Sequence, residues 1–215
     1  MPPESDKLAA LRRQLAERFP AVPRTAGRQL PTGIPEIDDS TGGLPLGAIT
    51  EIVCPTPSCG SQLLLGQLLA VTRENRARVA LIDSSDSFDP TSWEADLLAH
   101  LVWIRCSNTL MSLAAVDLAA RDANFGLLVL DLGRAPQTDL CRVPSSQWYR
   151  LQRAIEPTDT ALVIQTPHAC VPSAQLRFEL SSSYVFADLV RERPALTTAL
   201  APVLQRQRHH AGLTG

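Results

Sequence analysis

The chain has 215 residues, of which 45% are hydrophobic and 20% are charged, and its formal net charge is −2 at pH 7. This length and composition predict a soluble globular protein with one main domain and a sizeable core. The small negative charge gives no overall attraction to nucleic acid, so any DNA contact must be local or shared with a partner. No apolar run approaches the roughly 18 residues that a membrane-spanning helix needs, which excludes a membrane protein.

The five cysteines are scattered along the chain and odd in number, which argues against a disulfide framework. The N-terminal residues Met1–Asp6 are polar and lack the apolar stretch of a secretion signal. We therefore expect a cytoplasmic protein with reduced thiols. The spacing of Cys54 and Cys59 resembles that of a pair of zinc ligands, but no second Cys/His pair lies at a suitable distance in the sequence. We therefore expect two small buried side chains and no metal site.

An amphipathic helix is predicted at Ser5–Phe19, where Leu8, Leu11 and Leu15 recur at helical spacing between charged residues. Residues 1–24 are assigned to this helix and a linker. The leucine stripe has two interpretations that the pattern leaves open. It either packs on its own domain, or it forms a projecting arm that binds a partner protein or a second copy of the chain.

Residues 25–200 are predicted to form a core domain in which apolar strands alternate with helices. The strand candidates are Ala48–Val53, Val79–Asp83, His100–Ile104, Gly126–Asp131 and Thr160–Gln165. The helix candidates are Ser61–Asn75, Thr91–Ala99, Leu110–Asp122 and Ser145–Ile155. This alternation predicts an α/β fold with a mainly parallel, twisted sheet and helices on both faces. Gln175–Leu180 and Tyr184–Val190 are predicted to close the sheet as an antiparallel pair, and residues 201–215 are predicted to be a flexible tail.

The segment after Ala48–Val53 has the position of a phosphate-binding loop but only part of its chemistry. A P-loop ends with Gly, Lys and Ser/Thr at a helix start, which together hold phosphates and magnesium. Gly60 and Ser61 are present, whereas the only lysine of the chain is Lys7. Two prolines also remove backbone donors from the loop. The N-terminus of the following helix still attracts anions, so weak nucleotide binding remains open.

The candidate nucleotide site consists of Cys59, Gly60, Ser61 and Gln62 in this loop, together with Asp131 at the end of a later strand. Asp131 has two interpretations, as a carboxylate that orders magnesium or as a cap of the loop that follows it. A missing lysine removes a charge-assisted contact worth on the order of 2–3 kcal/mol. We expect weak binding of ATP and magnesium at most, no resident cofactor and no catalytic residue.

Several segments resemble the RecA/RadA recombinase family. The resemblance covers roughly Gln29–Val190, and it is most specific in the Gly-Gly-Leu-Pro-Leu-Gly segment and strand of Gly42–Ile52. It implies a RecA-like P-loop NTPase core. At the position that resembles the family's catalytic glutamate the chain has Ser85, with Asp86 as a misplaced substitute. The carboxylate that activates the attacking water is therefore missing, and useful hydrolysis is not expected.

Within this superfamily the chain is most similar to the ImuA-type proteins, the RecA- or SulA-like accessory partners of a bacterial DNA-damage mutagenesis cassette. The similarity lies in the compact size, the leucine- and arginine-rich first helix, the Gly-Gly-Leu-Pro segment and the helix containing Ser146–Arg153. It implies a non-catalytic adaptor of the SOS response that supports error-prone translesion synthesis. The implied partners are an inactive Y-family polymerase homologue, a specialised C-family polymerase and RecA.

A basic aromatic helix carries Trp148, Arg150 and Arg153, a combination that allows stacking on single-stranded DNA and contacts with its backbone. Trp148 also falls at core spacing with the apolar residues three and seven positions later. We therefore favour core packing for Trp148 and retain the two arginines as DNA-binding candidates.

Two other function classes stay open. One is an ATP-dependent, recombinase-like DNA-binding ATPase in which an arginine such as Arg73 or Arg76, or a neighbouring subunit, replaces the missing lysine. The other is a cell-division or signalling regulator built on the same fold, since a fold alone does not specify a function.

Overall fold

The structure is a computed structural model that describes residues 28–122, 124–182 and 184–208. The predicted helix Ser5–Phe19, with Leu8, Leu11 and Leu15, lies outside the described residues. The same holds for residues 209–215 of the predicted tail.

The described residues form strands that alternate with helices. The strands are β1 (Gln29–Leu30), β2 (Leu44–Pro45), β3 (Ala48–Val53), β4 (Arg78–Asp83), β5 (Leu101–Arg105), β6 (Phe125–Asp131), β7 (Ala161–Thr166), β8 (Leu176–Leu180) and β9 (Pro202–Gln207). The α-helices are α1 (Pro35–Thr41), α2 (Ser61–Glu74), α3 (Ala95–Leu98), α4 (Thr109–Ala119), α5 (Gln137–Arg142), α6 (Ser145–Ile155) and α7 (Arg193–Thr198). Two 3-10 helices lie at Pro90–Ser92 and Phe186–Val190. No helix in this part of the chain has the length and apolar character needed to cross a membrane.

One seven-stranded sheet organises the fold, in the order β5-β4-β6-β7-β3-β8-β9. All neighbouring strands from β5 to β8 run parallel, and β9 alone runs antiparallel, against β8. The short strands β1 and β2 form a separate antiparallel pair. These pairings confirm the predicted α/β fold with a mostly parallel sheet and a C-terminal antiparallel pair.

Helices cover both faces of the sheet, as predicted. On one face, α2 packs its buried leucines against strand residues such as Ile52 and Val129. On the other face, α4 and α6 pack against residues such as Ile49 and Leu130. Ile49 and Ile52 belong to one strand, and Val129 and Leu130 to another, so the central strands are buried on both sides. This double burial is the reason that their sequences are continuously apolar.

The structure corrects the prediction of a single helix at Thr91–Ala99. The short 3-10 helix and α3 are separated by Trp93 and Glu94, both of which have extended backbone angles. Trp93 stacks its ring on Phe88, with 6.2 Å between ring centroids. The helix is therefore interrupted where the tryptophan packs on the core, which is a tertiary contact that helical periodicity does not report.

The C-terminal part of the sheet also differs from the prediction. Tyr184–Val190 is not a strand, because Phe186–Val190 forms a 3-10 helix. The antiparallel partner of β8 is β9, which lies within the segment predicted as a flexible tail at 201–215. The core domain thus extends beyond residue 200. The backbone groups along the outer edge of β8 need hydrogen-bond partners, and β9 supplies them.

The segment that precedes β3 owes its sequence pattern to backbone geometry. The carboxylate of Asp38 accepts hydrogen bonds from the backbone N–H groups of Thr32 and Gly33, at 2.9 and 2.8 Å, and from the Thr32 hydroxyl at 2.8 Å. Gly43 has a φ of 116°, and a Cβ atom there would lie 2.4 Å from the carbonyl oxygen of Leu30. Only glycine fits this close approach. These contacts set the direction in which the chain enters β3.

Glu51 ties β3 to β8 through an ion pair with Arg177, and to the connection between β7 and β8 through backbone hydrogen bonds. Glu51 is fully buried, and its Oε2 accepts a hydrogen bond from Nε of Arg177 at 2.6 Å. Its Oε1 accepts from the backbone N–H groups of Cys170 and Val171, at 2.7 and 3.1 Å, and from the Thr166 hydroxyl at 3.1 Å. One carboxylate therefore satisfies four donors and orients the chain next to the carboxyl end of β3.

Candidate functional site

The candidate site is a cavity of about 720 Å³ at the carboxyl edge of the parallel strands. Open α/β sheets bind their ligands at this edge, and the volume is typical of a small-molecule pocket. The cavity brings together all five residues of the predicted nucleotide site, namely Cys59, Gly60, Ser61, Gln62 and Asp131. It is also lined by the rest of the loop from Cys54 and by Ser87, Arg134, Gln165, Tyr184 and Leu196, among others.

The loop between β3 and α2 turns sharply before the helix begins. Ser58 and Gly60 both have left-handed backbone angles, with φ values of 61° and 102°. The N-cap residue of α2 is Gly60, which has no side chain that could cap the helix with a hydrogen bond. A Cβ atom on Gly60 would lie 2.4 Å from Cδ2 of Leu200 and 3.2 Å from the Tyr184 ring. The C-terminal segment that precedes β9 therefore packs directly against the loop at the start of α2.

Two buried cysteines, Cys54 and Cys59, lie at the two ends of this loop and in the same buried cluster. The hydrogen bond from the Cys54 thiol lowers the pKa of Cys59 to about 7, and the backbone N–H groups of Ser61 and of Cys59 itself act in the same direction, against the opposing effect of burial. The pKa of Cys54 is raised because this thiol donates to Cys59 and is buried. The two cysteines are therefore chemically unequal, and Cys59 ionises first.

Asp131 ends β6 and points its carboxylate into the cavity lining. Its Oδ1 accepts a hydrogen bond from the backbone N–H of Gly133 at 2.9 Å, so the loop-cap interpretation holds geometrically. Burial raises the pKa of Asp131, and the charge of Asp83 adds to the rise. Gly133, Arg134 and Ser87 act in the opposite direction. A buried carboxyl with a raised pKa is a poorer ligand for a cation than one that ionises freely.

The loop after β4 directs its own carboxylate away from the cavity. Asp86, predicted as the substitute for a catalytic glutamate, has a left-handed φ of 51° and forms an exposed ion pair with Arg105. Asp83 holds the loop by accepting hydrogen bonds from the backbone N–H groups of Ser85 and Ser87, both at 3.1 Å. Ser87 is the residue of this loop that lines the cavity.

Arg134 is a cavity residue that sequence reasoning missed. Among the described residues that line the cavity, Arg134 is the only cation and Asp131 the only carboxylate. The sequence signal that could have identified Arg134 is its position three residues after Asp131, the aspartate that ends a strand. The arginines proposed from sequence, Arg73 and Arg76, are in the wrong place. At the rise of an α-helix, Arg73 lies about 18 Å from Ser61, and its guanidinium pairs with Asp96.

The two predicted DNA-binding residues lie away from this cavity, on α6. Trp148 of the same helix is 1% exposed, which confirms its predicted core packing. Arg150 pairs through Nε with Oδ1 of Asp117 at 3.3 Å and lines a separate groove of about 350 Å³ between α4, α5 and α6. Arg153 is exposed. Both arginines are accessible to a ligand on that face, and DNA binding by them stays a prediction.

No model of a known protein family matches the chain, and no curated protein matches its sequence. Within residues 28–208, excluding the two gaps, no group of three or more His, Cys, Asp or Glu side chains is arranged to hold a metal ion. The geometry of the cavity is therefore the main guide to what the site does.

Proposed function

We propose that the protein is a non-catalytic, RecA-like adaptor of a bacterial DNA-damage response, which supports error-prone translesion synthesis through protein contacts. The observation that carries this proposal is the composition of the cavity at the position of a phosphate-binding loop. Two thiols and two prolines occupy the loop from Cys54 to Cys59, and the charged residues that line the cavity, within the described part of the chain, are Arg134 and the buried Asp131. An ATPase site needs additional cationic groups to hold the phosphates and additional carboxylates to bind magnesium and position the attacking water.

The energetic argument concerns both binding and hydrolysis. Loss of the lysine contact weakens triphosphate binding by an amount on the order of 2–3 kcal/mol. A positioned base contributes about 10²–10⁴-fold to a proton transfer, and the carboxylate nearest in sequence to that role, Asp86, is paired with Arg105 at an exposed position. An ATPase built on this loop would be deficient in both steps.

The first test is a calorimetric titration of Mg-ATP into the full chain, with and without single-stranded DNA, together with a phosphate-release assay. The proposal predicts no binding of Mg-ATP with a micromolar dissociation constant and no release of phosphate. Tight binding or DNA-stimulated turnover would overturn the assignment as a non-catalytic adaptor.

The second test concerns partners, which come from the family resemblance. We propose that the chain binds RecA, an inactive Y-family polymerase homologue and a specialised C-family polymerase, and that Leu8, Leu11 and Leu15 contribute to one contact or to self-association. Deletion of residues 1–24 should abolish a complex seen by gel filtration and leave the melting temperature of the core unchanged. Co-purification of a division protein or kinase in place of the polymerases would favour the regulator.

A second candidate is weak nucleotide binding, which Arg134 favours because this cationic residue lines the same cavity as the N-terminus of α2. If calorimetry detects binding, Arg134→Gln should weaken it by about tenfold or more, in line with the loss of one charge-assisted contact. The matched control is Arg76→Gln, which changes the same charge at the far end of α2. Equal effects of both variants would show that Arg134 does not contact the ligand.

A further inference from the structure

The loop between β3 and α2 carries a feature that neither an adaptor nor a nucleotide site uses. Cys54 directly follows β3, and Cys59 comes immediately before the Gly60 N-cap of α2. Both residues belong to the same buried cluster, and each thiol shifts the pKa of the other. Both residues also line the 720 Å³ cavity, so a molecule of the size of water or hydrogen peroxide has a route to the pair.

The surroundings assign different roles to the two sulfur atoms. Cys59 accepts hydrogen bonds from Cys54 and from backbone N–H groups at the start of α2, which lowers its pKa to about 7 and makes its thiolate available at neutral pH. Cys54 keeps its proton, because its pKa is raised by its hydrogen bond to Cys59, by burial and by the charges of Cys59 and Asp131. A reactive thiolate beside a protonated thiol is the arrangement that oxidation to a disulfide requires.

We propose that Cys54 and Cys59 form a peroxide-sensitive dithiol that closes to an intramolecular disulfide, with hydrogen peroxide as the oxidant. This modification site is independent of the proposed adaptor role. Cys141, which is exposed and lies outside this loop, serves as the internal reference.

The reaction proceeds in two balanced steps. The Cys59 thiolate attacks one oxygen of hydrogen peroxide, the O–O bond breaks, and Cys59 becomes a sulfenic acid while the departing hydroxide takes up a proton to form water. The Cys54 sulfur then attacks the Cys59 sulfur, the S–O bond breaks, and the second oxygen leaves as water with the proton of Cys54. Two thiols lose two electrons and two protons in total, and peroxide is reduced to two molecules of water.

The disulfide would change the shape of the cavity. An S–S bond holds the two sulfur atoms about 2.05 Å apart. It therefore links the end of β3 to the start of α2 and removes the hydrogen bonds that the Cys59 sulfur accepts. The loop that lines the candidate site would exist in two chemical forms.

The experiment uses the full chain and mass spectrometry. The protein is treated with hydrogen peroxide at neutral pH, alkylated with N-ethylmaleimide under denaturing conditions, and digested with trypsin. Cleavage after Arg28 and Arg73 releases one peptide, Gln29–Arg73, which contains Cys54 and Cys59 and no other cysteine. We expect this peptide to be unalkylated and lighter by two hydrogen atoms, and to take up two alkyl groups after reduction. Recovery of a doubly alkylated peptide from peroxide-treated protein would overturn the proposal.

Substitutions separate the two roles. In Cys54→Ser, Cys59 should stop at the sulfenic acid, which a 1,3-dione reagent traps on the same peptide. In Cys59→Ser, Cys54 should remain alkylatable after peroxide. The matched control, Cys141→Ser, should form the disulfide at the rate of the unmodified protein. Oxidation of Cys141 in preference to Cys59 in the unsubstituted chain would equally overturn the proposal, and this readout needs no variant that must fold.

Discussion

Replacement of Glu51 by Gln tests the account of how the site is held together. The substitution keeps the shape of the side chain and removes its charge. The amide can still accept hydrogen bonds through its oxygen, but its NH₂ group can replace only one of the two carboxylate oxygens. That group would face either the Arg177 guanidinium or the backbone N–H groups of Cys170 and Val171, so a donor would meet a donor in both orientations.

The size of the effect follows from burial. Glu51 is fully buried, and the side chain of Arg177 is 19% exposed, so water can recover only part of the solvation of an unpaired guanidinium. Removing one partner of a buried ion pair costs about 3–5 kcal/mol, and the partial exposure of Arg177 places Glu51→Gln near about 3 kcal/mol. In a chain of this length that loss corresponds to a fall in melting temperature of about 6–12 °C.

Urea unfolding followed by circular dichroism, with calorimetry for the melting temperature, measures this loss. The matched control is Asp86→Asn, which breaks the exposed pair with Arg105 and should have a much smaller effect, because water and salt screen that pair. If Glu51→Gln were as stable as the control variant, the buried carboxylate would not be what fastens the β7–β8 connection to β3.

Three further predictions concern the cavity. Asp131→Asn should raise the free energy of unfolding at neutral pH, because burial raises the pKa of this carboxyl and stability is lost as pH rises through that value. Urea unfolding should show the gain shrinking at acid pH, where the carboxyl is protonated in both states, and a loss at neutral pH would contradict the reasoning. Cys54→Ala should move the pH midpoint of Cys59 alkylation above about 7. Cys54→Ser should move this midpoint less, because the serine hydroxyl can still donate a hydrogen bond to Cys59. Identical midpoints for both variants would show that a hydrogen bond from residue 54 is not what lowers the pKa of Cys59. Gly60→Ala should destabilise the fold by about 2–4 kcal/mol in urea unfolding, because of a strained φ and overlap with neighbouring side chains. The φ of Gly60 is 102°, and the new Cβ would lie 2.4 Å from Cδ2 of Leu200. An unchanged urea midpoint would mean that the loop relaxes freely.

The strands and the main helices could be predicted from local pattern. Ala48–Val53 and Ser145–Ile155 have the bounds that the sequence predicts, and the other buried strands differ by a residue or two. These segments are recognisable because double burial demands continuous apolar residues, and a helix on a sheet demands a stripe. The clustering of Ser61 and Asp131 at one cavity also follows from pattern, since residues at the carboxyl ends of parallel strands share one edge of the sheet.

Contacts between distant segments decided the rest. β9 lies in the segment that local pattern predicts as a tail, because it becomes a strand only by pairing with the edge of β8. Asp86 lies one residue after the position where the catalytic carboxylate is expected, and the left-handed turn of its loop directs it to Arg105.

Short-range periodicity therefore determined the class of fold and the existence of a loop between β3 and α2. Tertiary packing alone determined that Arg134 lines the cavity and that Cys54 and Cys59 line it together. The physical reason is that the burial of each residue is reflected in the local pattern of apolar and polar residues. The direction of a polar side chain depends instead on hydrogen-bond and charge partners that folding brings from distant segments of the chain.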